Sequence, residues 1–145
     1  PSILMKEEDF DKAVFYKISL GDVAEEYSKE IYEYCMENNV ISIGFGQGIN
    51  FTDIKEEDIE NTLKEYNQKS SASYPISYFK NGLKIGTYVI VSYGKSYAKA
   101  IGKVIGEYQF EKDSEIEWNH FRKVEWILKD IEIPVSQIYK NQFTQ

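Results

Sequence analysis

The stretch LKIGTYVIVSYGKSYAKAIGKVIGEY, from Leu83 to Tyr108, leaves this chain few choices of fold. Thr87 to Tyr93 is rich in β-branched and aromatic residues, the composition of a strand. Gly94-Lys95-Ser96 supplies a short reversal, with Gly94 as the permissive residue. The return strand, Ala98 to Tyr108, carries Gly102 and Gly106. Glycines inside a strand mark a bulge, a bend or a closely packed backbone. Bent strands let a small sheet curl toward a barrel. The same region is an electrostatic anomaly. No acidic residue lies between Glu65 and Glu107, while Lys69, Lys80, Lys84, Lys95, Lys99 and Lys103 do.

The rest of the chain divides around this hairpin. Ala13–Leu20 (AVFYKISL) alternates as a first strand, and Gly21 breaks it. Asp22 with Glu25 starts a helix in the manner of a capping box. Val23, Tyr27, Ile31, Tyr34 and Cys35 continue it at helical spacing to about Met36, and Asn38-Asn39 stops it. Val40–Phe45 (VISIGF) is a second strand, followed by Gly46-Gln47-Gly48-Ile49-Asn50-Phe51. Asp53 to about Tyr66 is helical, with Ile59 and Leu63 as an apolar i,i+4 pair. Pro75 opens a further short helix that Asn81-Gly82 closes. Gln109–Glu117 is a charged loop, and His120–Leu128 (HFRKVEWIL) alternates as a last strand. The order β-α-β-α-α-β-β-β predicts a small α+β domain over residues 13–133, built around a curled, mostly antiparallel, barrel-like sheet. Residues 1–12 read as an N-terminal extension and 134–145 as a tail or short helix.

Several chemistries are excluded. The net charge of −7 argues against indiscriminate nucleic-acid binding. Its distribution does not: residues 66–106 carry +6 against −13 elsewhere, a field that steers anions to one face. No apolar run approaches the ~20 residues of a membrane helix. A single cysteine, Cys35, forms no internal disulfide, which fits a reducing cytoplasm. Gly44-Phe45-Gly46-Gln47-Gly48 fails the dinucleotide fingerprint because Ile49 stands where the third glycine is required. Gly94-Lys95-Ser96 fails as a phosphate loop, because Val89 replaces the first glycine and a strand follows instead of a helix. One histidine and one cysteine make no metal cluster, and His120 has no nucleophile motif beside it. The chain therefore reads as a binding module without catalysis, metal or cofactor. Twelve tyrosines, eight phenylalanines and two tryptophans exceed the needs of a core this size. Aromatic rings interspersed with lysines are what exposed bases stack on.

Five pieces, in this order and spacing, carry a family resemblance: FYKISLG, ISIGFGQG, LKIGTYVIVSYG, IGKVIGEYQF, and the closing His120, Arg122, Val124 and Trp126. With them the chain resembles the EVE and YTH-like domains of the PUA superfamily. It is most similar to the N-terminal modified-base-binding domain of McrB-type restriction GTPases. The resemblance implies a pocket that takes a modified base, a methylated cytosine or adenine, flipped out of double-stranded DNA into an aromatic cage. On that reading Lys17, Ser19, Phe45, Asn50, Phe51 and Trp118 form the base pocket. Phe45 stands where the YTH pattern has a cage tryptophan, and Tyr16 where many relatives have one. Lys80, Lys84, Lys95, Ser96, Lys99, Lys103 and Arg122 would touch the DNA backbone, contacts that position without specifying. The resemblance also implies the sensor part of a longer chain, with a GTPase motor and a nuclease partner. Two alternatives stand beside it: a PUA-like RNA-binding domain, and a protein-interaction module using the acidic helices.

Overall fold

The computed structural model describes residues 15–20, 26–92 and 97–134. The expected capping segment at Asp22–Glu25, the turn at Gly94–Ser96 and both terminal segments lie outside these residues. Strand β1 (Phe15–Ser19) precedes helix α1 (Glu26–Asn38) and strand β2 (Val40–Ile43). A 3₁₀ turn at Glu56–Asp58 leads into α2 (Ile59–Glu65), and another at Ser70–Ala72 into α3 (Ser73–Ser77). A π-helical turn, Tyr78–Gly82, continues α3. Strands β3 (Tyr88–Ser92), β4 (Tyr97–Phe110), β5 (His120–Leu128) and the short β6 (Ile133–Pro134) complete the domain. The α+β class and the mostly antiparallel sheet are as the sequence predicts. The expected second strand is two residues too long, because the chain bends away at Gly44 and Phe45. The expected helix from Asp53 is shorter and begins as a 3₁₀ turn, and β6 has no counterpart in the sequence reading.

Local chemistry explains the helix ends. Ser28, Ile31, Tyr32, Cys35 and Met36 bury one face of α1, a 3.6-residue stripe. Asn39 then takes φ +57°, the left-handed stop that asparagine tolerates better than most residues. At the end of α2, Asn67 adopts φ +60° and the Gln68 N–H donates to the Leu63 carbonyl at 2.8 Å, a Schellman-type closure.

The sheet runs β1-β3-β4-β5-β2, with β6 added to β4. β1 lies parallel to β3, and the other pairings are antiparallel. Five flat strands would hold their outer two about 19 Å apart at the usual spacing. Here β1 and β2 come within 8 Å between Cα atoms without pairing. The sheet is therefore curled into an open barrel, and the long central strand shows how. Between Val104↔Val124 and Tyr108↔Arg122 the register gives β4 two extra residues, with Gly106 among them. Lys99 bulges opposite β3 and bends the strand further, while next to Gly102 the extra residue, Ile127, lies on the partner strand β5. Of the alternatives expected at these two glycines, Gly106 lies in a bulge of β4, while Gly102 is a close approach, where a Cβ would lie 2.8 Å from the Trp126 ring.

The inner face of the sheet and α1 enclose the main core, with Val89, Val91, Ala100, Val104 and Val124 against Ile31, Cys35 and Met36. A second core lies under α2 and α3, around Ile49, Phe51, Ile59, Leu63 and Ile76. Burial pushes the Cys35 thiol up to about 12, so it packs as a small apolar group. Among the described residues no helix is long and apolar enough to cross a membrane.

Candidate functional site

The loop leaving β2 is pinned at both ends by β4 and β5. His120 is 1% exposed, and its Nε2 lies 2.8 Å from the Gly46 carbonyl. A carbonyl only accepts, so the proton sits on Nε2 and Nδ1 is left as an acceptor. The Tyr108 hydroxyl donates to that Nδ1 at 2.7 Å and accepts the Phe51 N–H at 3.2 Å. The Asn119 side-chain oxygen takes the Gly48 N–H at 3.0 Å, and the Gln68 amide donates to the Gln47 carbonyl at 3.0 Å. Held this way, the loop sends Ile49 and Phe51 into the second core and leaves Phe45 46% exposed. His120 is a structural tie.

Burial lowers the His120 pKa from its ordinary 6.5, against the raising effect of its backbone hydrogen bonds. A histidine depressed in the fold binds its proton more readily when unfolded, so stability rises with pH across that window. It is complete above about pH 6.5 and is lost as pH falls toward the folded value. Thermal melts from pH 8 to 5 should show Tm dropping on acidification. In His120→Asn the melt should start lower at pH 8 and respond less to pH below 6.5; an equally steep variant would remove His120 as the cause.

A cavity of about 470 Å³ opens between the two edge strands. β1 contributes Lys17, Ile18 and Ser19; the end of β2 contributes Ile43, Gly44 and Phe45. Tyr74, Pro75, Tyr78 and Phe79 come from α3 and its π turn, and Trp118 from the loop before β5. The volume falls in the roughly 300–1,000 Å³ range of small-molecule sites. Among the described residues β1 pairs only with β3 and β2 only with β5, so each turns an edge without a further described strand toward this gap. Such an edge carries backbone donors and acceptors beside the aromatic walls.

Two of those walls rest on glycines. A Cβ on Gly44 would lie 2.7 Å from the Trp118 ring, and one on Gly82 would lie 2.5 Å from the Tyr78 ring. Only the absence of a side chain lets these rings lie so close to backbone. Tyr78 also meets Tyr16 edge-on at 5.2 Å and stacks with Tyr74 at 6.2 Å and 20°. Burial, then the nearby Tyr16 hydroxyl, raises the Tyr78 pKa, so its phenol stays neutral. The π turn closes with the Leu83 N–H on the Tyr78 carbonyl at 2.9 Å. It turns Phe79 into the main core while Tyr74 stands 76% exposed at the rim.

Of the pocket residues expected from sequence, Lys17, Ser19, Phe45 and Trp118 line this one cavity. Two others do not. Phe51 is fully buried in the second core, beyond reach of any ligand. Asn50 folds back to take hydrogen bonds from the Thr52 N–H and hydroxyl, at 2.9 and 2.6 Å. Sequence reasoning missed Tyr74 and Tyr78, although their i,i+4 spacing in a proline-started helix put them on one face.

The cationic residues divide as well. Lys80 and Lys84 line a smaller pocket of about 290 Å³ adjoining the site, with the Lys80 ammonium donating to the Ile54 carbonyl at 3.3 Å. Lys99 pairs with Glu132 at 3.5 Å, and Lys103 sits in register between Tyr88 and Glu125; neither lines the cavity. Lys95 and Ser96 fall outside the described residues. Arg122 is corrected outright. It is 1% exposed and donates to the Gly106 and Phe79 carbonyls at 2.8 Å and more weakly toward Lys80 at 3.4 Å. Burial lowers its pKa, with Glu107 opposing, but a guanidinium stays charged. Arg122 ties the β4 bulge to the π turn; it touches the smaller pocket beside Lys80, Lys84 and Glu107, but at 1% exposure it acts as a structural tie.

Among the described residues no cluster of three or more His, Cys, Asp or Glu could hold a metal. Among curated proteins nothing matches the chain. The solved structures it is similar to include the YTH domain of Zygosaccharomyces rouxii MRB1 protein in complex with N6-methyladenosine RNA. That match has 15% identity, covers 100% of this chain and 94% of that one, and has a TM-score of 0.44. Two structures of the Mmi1 YTH domain match at 10% identity. One covers 87% of this chain and 72% of that one with a TM-score of 0.41, the other 99% and 83% with a TM-score of 0.40. Likeness at this level assigns no role to any residue here. The family model of DUF8426, a domain of unknown function, matches residues 16–145, and the chain belongs to that family.

Proposed function

We propose that the domain captures a single modified nucleobase in the cavity between β1 and β2, without catalysis of its own. The base is a methylated cytosine or adenine flipped out of double-stranded DNA, and the domain serves as the specificity part of a modification-dependent restriction system. One observation carries the reading: a cavity between two sheet edges whose rim presents the rings of Phe45 and Tyr74, 46% and 76% exposed, opposite the Trp118 wall. Flat apolar rings with strand-edge hydrogen-bonding groups beside them complement a planar ring that has a polar edge. Flipping costs a few kcal/mol, and stacking recovers roughly 1–3 kcal/mol per aromatic contact. A buried methyl adds only about 0.8 kcal/mol, so the shape of the cavity does most of the discriminating. Lys17 lines the cavity and Lys80 and Lys84 line the smaller pocket, and these three supply the phosphate contacts in this reading.

Low-salt titration tests it with matched duplexes that are unmodified or carry 5-methylcytosine, 5-hydroxymethylcytosine or N6-methyladenine, and with the corresponding RNA strands. One modified duplex should bind more tightly than its unmodified twin. Phe45→Ala should weaken that complex roughly 5- to 150-fold, the equivalent of one lost stacking contact. Its thermal stability should change by less than about 0.5 kcal/mol, because the ring is half exposed. Preference for a modified RNA strand would move the same pocket to RNA. Equal, salt-dependent binding to every duplex, unaffected by Phe45→Ala, would refute base capture.

A further inference from the structure

The Tyr74–Tyr78 pair has a second side. A pocket of about 250 Å³ lies against it, sharing both tyrosines with the main cavity and lined otherwise by polar groups that include Glu56, Asn81 and Lys84. Lys84 and Asn81 also line the third pocket, so cationic surface continues away from the opening. The tyrosine pair is thus a partition, apolar-walled on one side and polar on the other.

We infer that this second pocket reads the base adjoining the captured one, and that it favours adenine; the inference rests on the base-capture reading. The Asn81 side chain offers one amide donor and one acceptor, the combination that pairs bidentately with adenine N7 and N6. Glu56 only accepts, so its carboxylate tolerates an amino group on the groove edge and repels a carbonyl oxygen there. Guanine presents two acceptors on that edge and meets a carboxylate instead of a donor. The edge lies in the major groove of a duplex, so its reading needs no second flipped base. The exposed face of Tyr74 packs against the same neighbour, and Lys84 takes the phosphate between the two nucleotides.

The test uses duplexes with 5-methylcytosine, 5-hydroxymethylcytosine or N6-methyladenine at a fixed position and each of the four bases on either side. For whichever modification binds, adenine on one side should bind roughly 5- to 100-fold more tightly than guanine there, and the other side should matter little. Asn81→Ala and the more exposed Glu56→Ala should each reduce that preference several-fold while leaving intact the preference for modified over unmodified duplex. Two results overturn the inference and leave base capture standing: equal affinity for all flanking bases, or a flank preference that survives both substitutions. Failure to bind any modified duplex overturns both together.

Discussion

Arg122→Ala should destabilise the domain by about 3–5 kcal/mol, from the lost charge-assisted hydrogen bonds to carbonyls and the cavity left by a large buried side chain. The guanidinium is the largest fully buried side chain in the described structure, and it satisfies carbonyls from two separate elements. Without it the Phe79 carbonyl loses its donor in the interior at roughly 1–3 kcal/mol, the half-buried Gly106 carbonyl loses its donor at a smaller cost, and a cavity opens beside them. Urea unfolding followed by tryptophan fluorescence measures the loss. Arg122→Met keeps much of the volume but none of the donors and should recover less than half of it. A phosphate-binding arginine would behave otherwise: stability nearly unchanged, with a shallower salt dependence of DNA binding. That outcome would return Arg122 to the role its sequence position first implied.

Gly44→Val should abolish base binding while the domain still folds. The substituted Cβ would sit 2.7 Å from two Trp118 ring carbons and 3.0 Å from the indole nitrogen. Trp118 is only 8% exposed and packed in the main core, so the ring cannot swing away freely. It is displaced as a body into the cavity it walls. Overpacking of this kind costs about 1–3 kcal/mol of stability, whereas the binding loss should exceed that of Phe45→Ala because volume and wall go together. Gly44→Ala should fall between the wild type and Gly44→Val. Titration with the preferred duplex, alongside the Trp emission maximum, separates a moved indole from an unfolded chain. Unchanged affinity in Gly44→Val would show that Trp118 forms no part of the binding surface.

Strands were legible in the sequence because β-branched and aromatic runs marked them, although burial does not strictly alternate in β3 or at the start of β5. Val89, Val91 and Val124 are where the pattern puts them. The period-2 reading of the last strand set Arg122 on the inward face beside His120 and Val124, yet its charge invited an outward role; register outweighed residue type. The Gly46–Phe51 loop was opaque for a local reason. Gly46 and Gly48 take φ +66° and +80°, so side chains adjacent in sequence leave in unrelated directions, and Phe45 and Phe51 part company. Lys17, Ser19, Phe45 and Trp118 come from three separate segments, and only the parallel pairing of β1 with β3 and the curl of the sheet bring them together. Neither leaves a short-range signature. Tyr74 and Tyr78 had one, an aromatic pair on a single helical face, but nothing nearby indicated that this face turned toward a gap.

The open barrel works like a caliper. β1 and β2 are its jaws, and the irregularities at Lys99 and Gly106 of β4 and at Ile127 of β5 are its hinge, none of them lining the cavity. The distance between jaws is fixed by how strongly these strands coil. Shifting a bulge in the hinge would therefore widen or narrow the gap while every residue lining it stays as it is.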